Sequence, residues 1–194
     1  MQFWELFQHY KHDGSTPATA AVLGIMAITG GTLYMALQYL QADHQKTARL
    51  RSAKQKYRML ISDLSECKGI LNHMDSETLP KAHAISEEAP QADKQRREAI
   101  VRELGAMGID LTRLMEKIDG VAPGLVLEAA QLDPWAEHEE ELRKDACKAG
   151  LAQVFEMTGD LRAIRKGLIK KAERKAQTVD GLRKTVLAIK PDQE

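Results

Sequence analysis

Aromatic residues make up only 5% of this 194-residue chain, proline occurs six times and cysteine twice. Scarce aromatics, together with abundant Ala, Leu, Lys, Glu, Arg and Gln, argue against a sheet, because unbranched side chains lose little rotamer freedom in a helix. No segment alternates apolar and polar residues as a strand would, and no repeat period appears. The fold class expected is all-α. Cys67 and Cys147 stand alone, far apart in helical sequence, which excludes a disulfide framework and fits a reducing compartment. Net charge is also missing: 28 Lys and Arg balance 28 Asp and Glu, against nucleic-acid electrostatics for the whole protein. Glycine-rich phosphate loops, nucleophile elbows and metalloprotease motifs are absent. Cys67, His73, His83, His138 and Cys147 have no compact ligand spacing, so no metal, no cofactor and no enzymatic chemistry is expected.

One stretch lacks charge altogether. Gly14 to Ala42, "GSTPATAAVLGIMAITGGTLYMALQYLQA", contains no Asp, Glu, Lys or Arg. A helix from about Pro17 to Leu40 exceeds the ~20 residues needed to cross a bilayer core, so the segment 17–42 is predicted to be a single transmembrane helix. It is longer than the apolar run of a cleaved signal, and it follows Glu5 and Asp13. Phe3, Trp4, Phe7 and Tyr10 make residues 1–16 an expected interfacial segment. Beyond the span, Lys46, Arg49, Arg51, Lys54, Lys56 and Arg58 face only Lys11 before it. Positive charge stays inside, so the C-terminal part is predicted to be cytosolic.

Four helices are predicted in that part. Residues 43–92 hold a basic juxtamembrane helix, about Lys46 to Met74, and a linker broken by Pro80 and Pro90. A second helix covers about 93–120, with Ile100, Leu104, Met107, Leu111, Leu114, Met115 and Ile118 on one face. A third is expected over 134–157, capped by Asp133 with Pro134 at its first position. Thr158-Gly159-Asp160 is expected to interrupt and recap the chain. The last helix then runs to about Ile189, with Leu161, Ile164, Leu168, Ala172, Val179, Leu182, Val186 and Ile189 as its buried stripe.

That last helix is dense in Arg and Lys, and Arg165, Ile169 and Glu173 recur four residues apart on a face beside the stripe. Its sequence "LRAIRKGLIKKAERKAQTVDGL", above all "RKGLIKK" from Arg165 to Lys171, resembles the last helix of the BAG domain. "LTRLMEKIDGV", Leu111 to Val121, is similar to the end of that domain's middle helix. The two fragments stand in the family's order and cover about a third of the soluble region. Some forty residues and an extra helix separate them, where the family has a short loop.

The resemblance implies a three- to four-helix antiparallel bundle over 93–190, with the helix at 134–157 inserted. It implies a co-chaperone that binds the nucleotide-binding (ATPase) domain of heat-shock protein 70 and speeds ADP release. Asp119 and Arg165 would be chaperone contacts, with Glu173 where Gln is more usual. Asp110 lies next to Ile109, which occupies a position where the family carries an acid. An anchor before a BAG-like region also resembles, in layout, a small co-chaperone of the endoplasmic-reticulum or nuclear-envelope membrane. The expected partners are the chaperone and, through one span, membrane lipid; nucleic acid is not expected. The alternative reading is an accessory structural subunit of an organellar membrane complex.

Overall fold

The computed structural model describes residues 17–135 and 139–189, without the side chains of 17–23, 25, 27 and 139. The segment 1–16 lies outside the described residues. Among those described, the chain is all-helical, as expected. Helix α1 spans Pro17–His73 and a π-type turn covers Met74–Thr78. There follow α2, Leu79–Glu88, a 3₁₀ turn at Ala89–Gln91, and α3, Lys94–Asp119. Then come α4, Leu125–Ala129, α5, Glu139–Lys148, and α6, Ala152–Ala188. The chain divides into two compact units, 1–48 and 49–194.

In the first unit α1 leaves Met26, Ile28, Leu33, Tyr34, Met35, Leu37, Tyr39 and Leu40 each more than half exposed. The helix expected over 17–42 is present. Among the described residues no helix is long and apolar enough to cross a membrane. Gly30, Gly31, Thr29, Thr32, Gln38 and Gln41 dilute the described part of the stretch.

The second unit is built on three long helical segments whose buried positions repeat at alternating spacings of three and four. They are Ala53, Leu60, Leu64, Cys67, Leu71 and Met74 in and just after α1, then Ile100, Leu104, Leu111, Leu114 and Ile118 in α3. In α6 they are Val154, Thr158, Leu161, Leu168, Ala172, Val179 and Val186, with Phe155 and Met157 also buried beside this stripe near its start. This 3.5-residue period is that of left-handed coiled-coil packing, which keeps one seam facing its neighbours along the whole helix. Directions follow from cross-contacts. Asp119 meets Arg165, while a Cβ at Gly105 would lie 3.9 Å from the Arg183 guanidinium, so α3 and α6 are antiparallel. Lys117 Nζ donates to Glu66 at 2.7 Å and Lys175 pairs with Asp75, so residues 49–73 run parallel to α6.

Several boundaries differ from those expected. Pro80 does not open a linker: α2 begins at Leu79, with the proline in its first turn. Because Pro80 offers no N–H to the preceding turn, the chain widens just before it, and Leu79 N–H reaches back five residues to Met74 O. The predicted break at Thr158–Gly159 is absent. Thr158 returns its hydroxyl to Val154 O at 2.9 Å, and Gly159 simply continues α6.

The interruption sits at Gly150, whose φ of 70° is open to glycine at little cost. There Leu151 N–H donates to Ala146 O at 2.7 Å, and both residues are buried, a Schellman closure with its apolar contact. The helix expected over 134–157 is therefore α5 plus the first turns of α6. Asp133 accepts from Trp135 N–H at 2.9 Å, but Pro134 and Trp135 lie in a turn and not at the start of a helix, and residues 136–138 lie outside those described. The short α4 was not anticipated; it buries Val126 and Leu127.

Two outcomes follow from this packing. Cys67 is fully buried and burial pushes its thiol pKa up, whereas Cys147 is exposed. Titration with an aromatic disulfide reagent should therefore show one fast thiol in the native protein and two in denaturant.

At the start of α3, Asp93 caps Arg96 N–H at 2.7 Å, and the Arg96 guanidinium grips both carboxylate oxygens of Glu88 at 2.9 and 3.0 Å. Hydrogen bonding to Arg96 holds the Glu88 carboxyl below its ordinary value. The stabilisation is present above the ordinary carboxylate range and is lost as pH falls through the depressed value. The protection of the amides between residues 88 and 96, measured against the exchange rate of an unstructured chain at the same pH, should fall on acidification below about pH 4, and in Glu88→Gln it should be low at neutral pH as well.

Candidate functional site

In α6 the 3.5-residue seam runs through positions 154, 158, 161, 165, 168, 172, 175 and 179, which places two cations where a coiled coil wants apolar residues. Arg165 is one; its side chain is 29% exposed. Lys175 is the other, at 12%. Ile164, predicted to be buried, is 41% exposed instead, because a helix wound on a 3.5 period turns residue 165, not 164, inward. Each seam cation has an acid from another element. Arg165 donates through Nη2 to Asp119, the last residue of α3, and Lys175 donates to Asp75 of the π turn. Burial pushes the Lys175 ammonium pKa down. Lys117 sits in the last turn of α3 and bonds Glu66, which raises its pKa.

Beyond Arg165 the surface of α6 opens into a shallow groove of about 480 Å³ lined by Arg162, Arg165, Lys166, Ile169, Lys170 and Glu173. Ile169 is half-buried against the core, and Glu173 is exposed. Three expected site residues, Arg165, Ile169 and Glu173, thus line one concavity, and Asp119 joins them across the helix pair. Asp110 does not. Nine residues before Asp119, it projects from the opposite side of α3 and pairs with Arg113 of its own helix at 3.8 Å. Ile109 is 55% exposed and carries no charge.

Sequence reasoning missed the cross-helix acids Asp75 and Glu66, which lie in helical or turn sequence with no motif of their own. The signal for Lys175 was available in the unbroken 3.5 spacing. Chemically, the groove offers four cations, of which Arg165 is held by its covered position, one aliphatic contact and hydrogen-bond donors. Among the described residues no cluster of His, Cys, Asp and Glu could hold a metal ion. Compared with known proteins, the chain matches no family model, no curated protein and no solved structure.

Proposed function

We propose that this chain is a membrane-anchored co-chaperone whose α3–α6 face binds the ATPase domain of heat-shock protein 70 and promotes release of ADP. The observation that carries this reading is an exposed groove on α6 lined by Arg165, Ile169 and Glu173, with Asp119 of the antiparallel α3 paired to Arg165 at its edge. The BAG-domain resemblance implies contact for Asp119, Arg165 and the position of Glu173, and Ile169 shares their face by its four-residue spacing.

The activity is binding, with no bond chemistry. Helices that fit the chaperone's two lobes better when they are apart draw the population toward the open arrangement, where ADP is held less tightly. The shift is limited to the difference in affinity for the two states: about 5.5 kcal/mol would carry an equilibrium from 1:99 to 99:1. Arg165 suits such a contact because its planar fork meets a carboxylate through paired donors, which an ammonium cannot do.

Anchorage is assigned to the uncharged segment of α1. Its large apolar side chains are exposed on every side of the helix, a distribution that calls for lipid or neighbouring helices rather than water. Its polar side chains fold inward on the helix: Thr29 and Thr32 donate to Met26 O and Thr29 O, and Gln38 donates to Tyr34 Oη. The endoplasmic-reticulum or nuclear-envelope membrane is the proposed site, with the C-terminal part in the cytosol.

The same exposed surface favours a second reading, an accessory structural subunit of an organellar membrane complex. Capture on an immobilised heat-shock protein 70 ATPase domain tests the first. Stoichiometric co-purification with a detergent-stable assembly, indifferent to ADP and ATP, supports the second.

A further inference from the structure

The two halves of the Arg165–Asp119 pair are held very differently. Arg165 is mostly covered, and its Nε lies buried without a hydrogen-bond partner, so packing fixes the guanidinium whatever its outer amine touches. Asp119 is 67% exposed and short. It is also the final residue of α3, where the helix dipole disfavours a carboxylate. The cation is therefore the rigid member, and the anion is the one able to turn away.

We propose that Asp119 is a displaceable internal ligand. It occupies Arg165 in the free protein and yields that place to a carboxylate on the acidic surface of a partner protein seated in the α6 groove. This rests on the docking face proposed above and adds to it a competition built into the bundle. Charge complementarity selects the occupant. Arg162, Arg165, Lys166 and Lys170 line the groove against the single acid Glu173, and Ile169 between them takes an aliphatic side chain. Two carboxylates crowding one guanidinium repel each other, so the partner and Asp119 exclude one another at the Arg165 amine. The BAG resemblance by itself gives Asp119 a contact of its own with the chaperone. Pairing within the bundle gives it the opposite role, and the two differ in sign.

An ion pair with one well-exposed partner is worth about 0.2–1 kcal/mol, so removing the internal competitor should tighten binding by a factor of about 1.4 to 5. The test uses the full chain in mild detergent and a fluorescent hexaglutamate peptide, followed by anisotropy at low salt. Asp119→Asn should bind more tightly than wild type by that factor and Asp119→Glu like wild type. Arg165→Ala should lose most of the binding, and added salt should remove the signal for all. Equal or weaker binding by Asp119→Asn would overturn the proposal, as would undiminished binding by Arg165→Ala or no binding by any form. Should Asp119→Asn tighten while the wild-type protein leaves ADP release unchanged, the internal competition stands and the chaperone reading falls.

Discussion

Truncating Leu161 to alanine is expected to destabilise the second unit by about 3 kcal/mol, within the range of about 2–5 kcal/mol for a buried leucine. Leu161 is 0% exposed and occupies the α6 seam between Thr158 and Arg165. Neither flank can swell to refill the space. Thr158 is tied to its own helix backbone, and the Arg165 side chain is held by packing with its guanidinium directed outward to Asp119. The loss is a large share of the about 5–15 kcal/mol that holds a typical domain together. In urea the midpoint should fall with an unchanged slope, because the same surface is exposed on unfolding. Truncating Ile164 at the neighbouring position should shift the midpoint little, since that side chain is already 41% exposed.

Arg165→Ala is expected to weaken capture by the heat-shock protein 70 ATPase domain by at least about 2 kcal/mol, or some thirtyfold, the usual consequence of removing one partner of a hydrogen-bonded charge pair at an interface. Folding should survive, because Asp119, the group left unpaired, is well hydrated. Arg165→Lys should not restore binding. A lysine ammonium carries charge but lacks the planar fork, and at a covered seam position its longer aliphatic stem has no fixed direction. Isothermal titration of the variants, with circular dichroism to verify helicity, checks both outcomes.

How legible these features were depends on whether a local or a tertiary signal governs them. Helix α3 could be read to within a residue at each end, because Asp93 supplies a cap and the apolar positions from Ile100 to Ile118 keep strict time. The pairing of Arg165 with Asp119 was partly legible. Both were singled out by motif, but that they would satisfy one another depends on the antiparallel register of α3 against α6, which no single segment encodes.

The break near residue 158 was misplaced because Thr-Gly-Asp looks like punctuation locally. A threonine hydroxyl that bonds within its helix and a glycine with nothing beside it are both tolerated once Leu161 and Val154 are buried. Gly150, an equally plain glycine in the sequence, ends a helix because Leu151 finds a buried site on the far side of it. Ile164 and Arg165 exchanged roles for a similar reason: a 3.6-residue period and a 3.5-residue period diverge slowly, and one position of drift swaps an aliphatic side chain for a cation. Asp110 was offered for an acid expected at 109, and the helix geometry that separates neighbours by about 100° sends it to the far side.

The most direct measurement is stopped-flow release of labelled ADP from heat-shock protein 70, with the fragment 43–194 added in increasing amounts and its Arg165→Ala variant as control. Release that accelerates with wild-type fragment to a plateau, and stays at the unassisted rate with the variant, is the result the account predicts. Release that is indifferent to the wild-type fragment at concentrations well above that of the chaperone would contradict it.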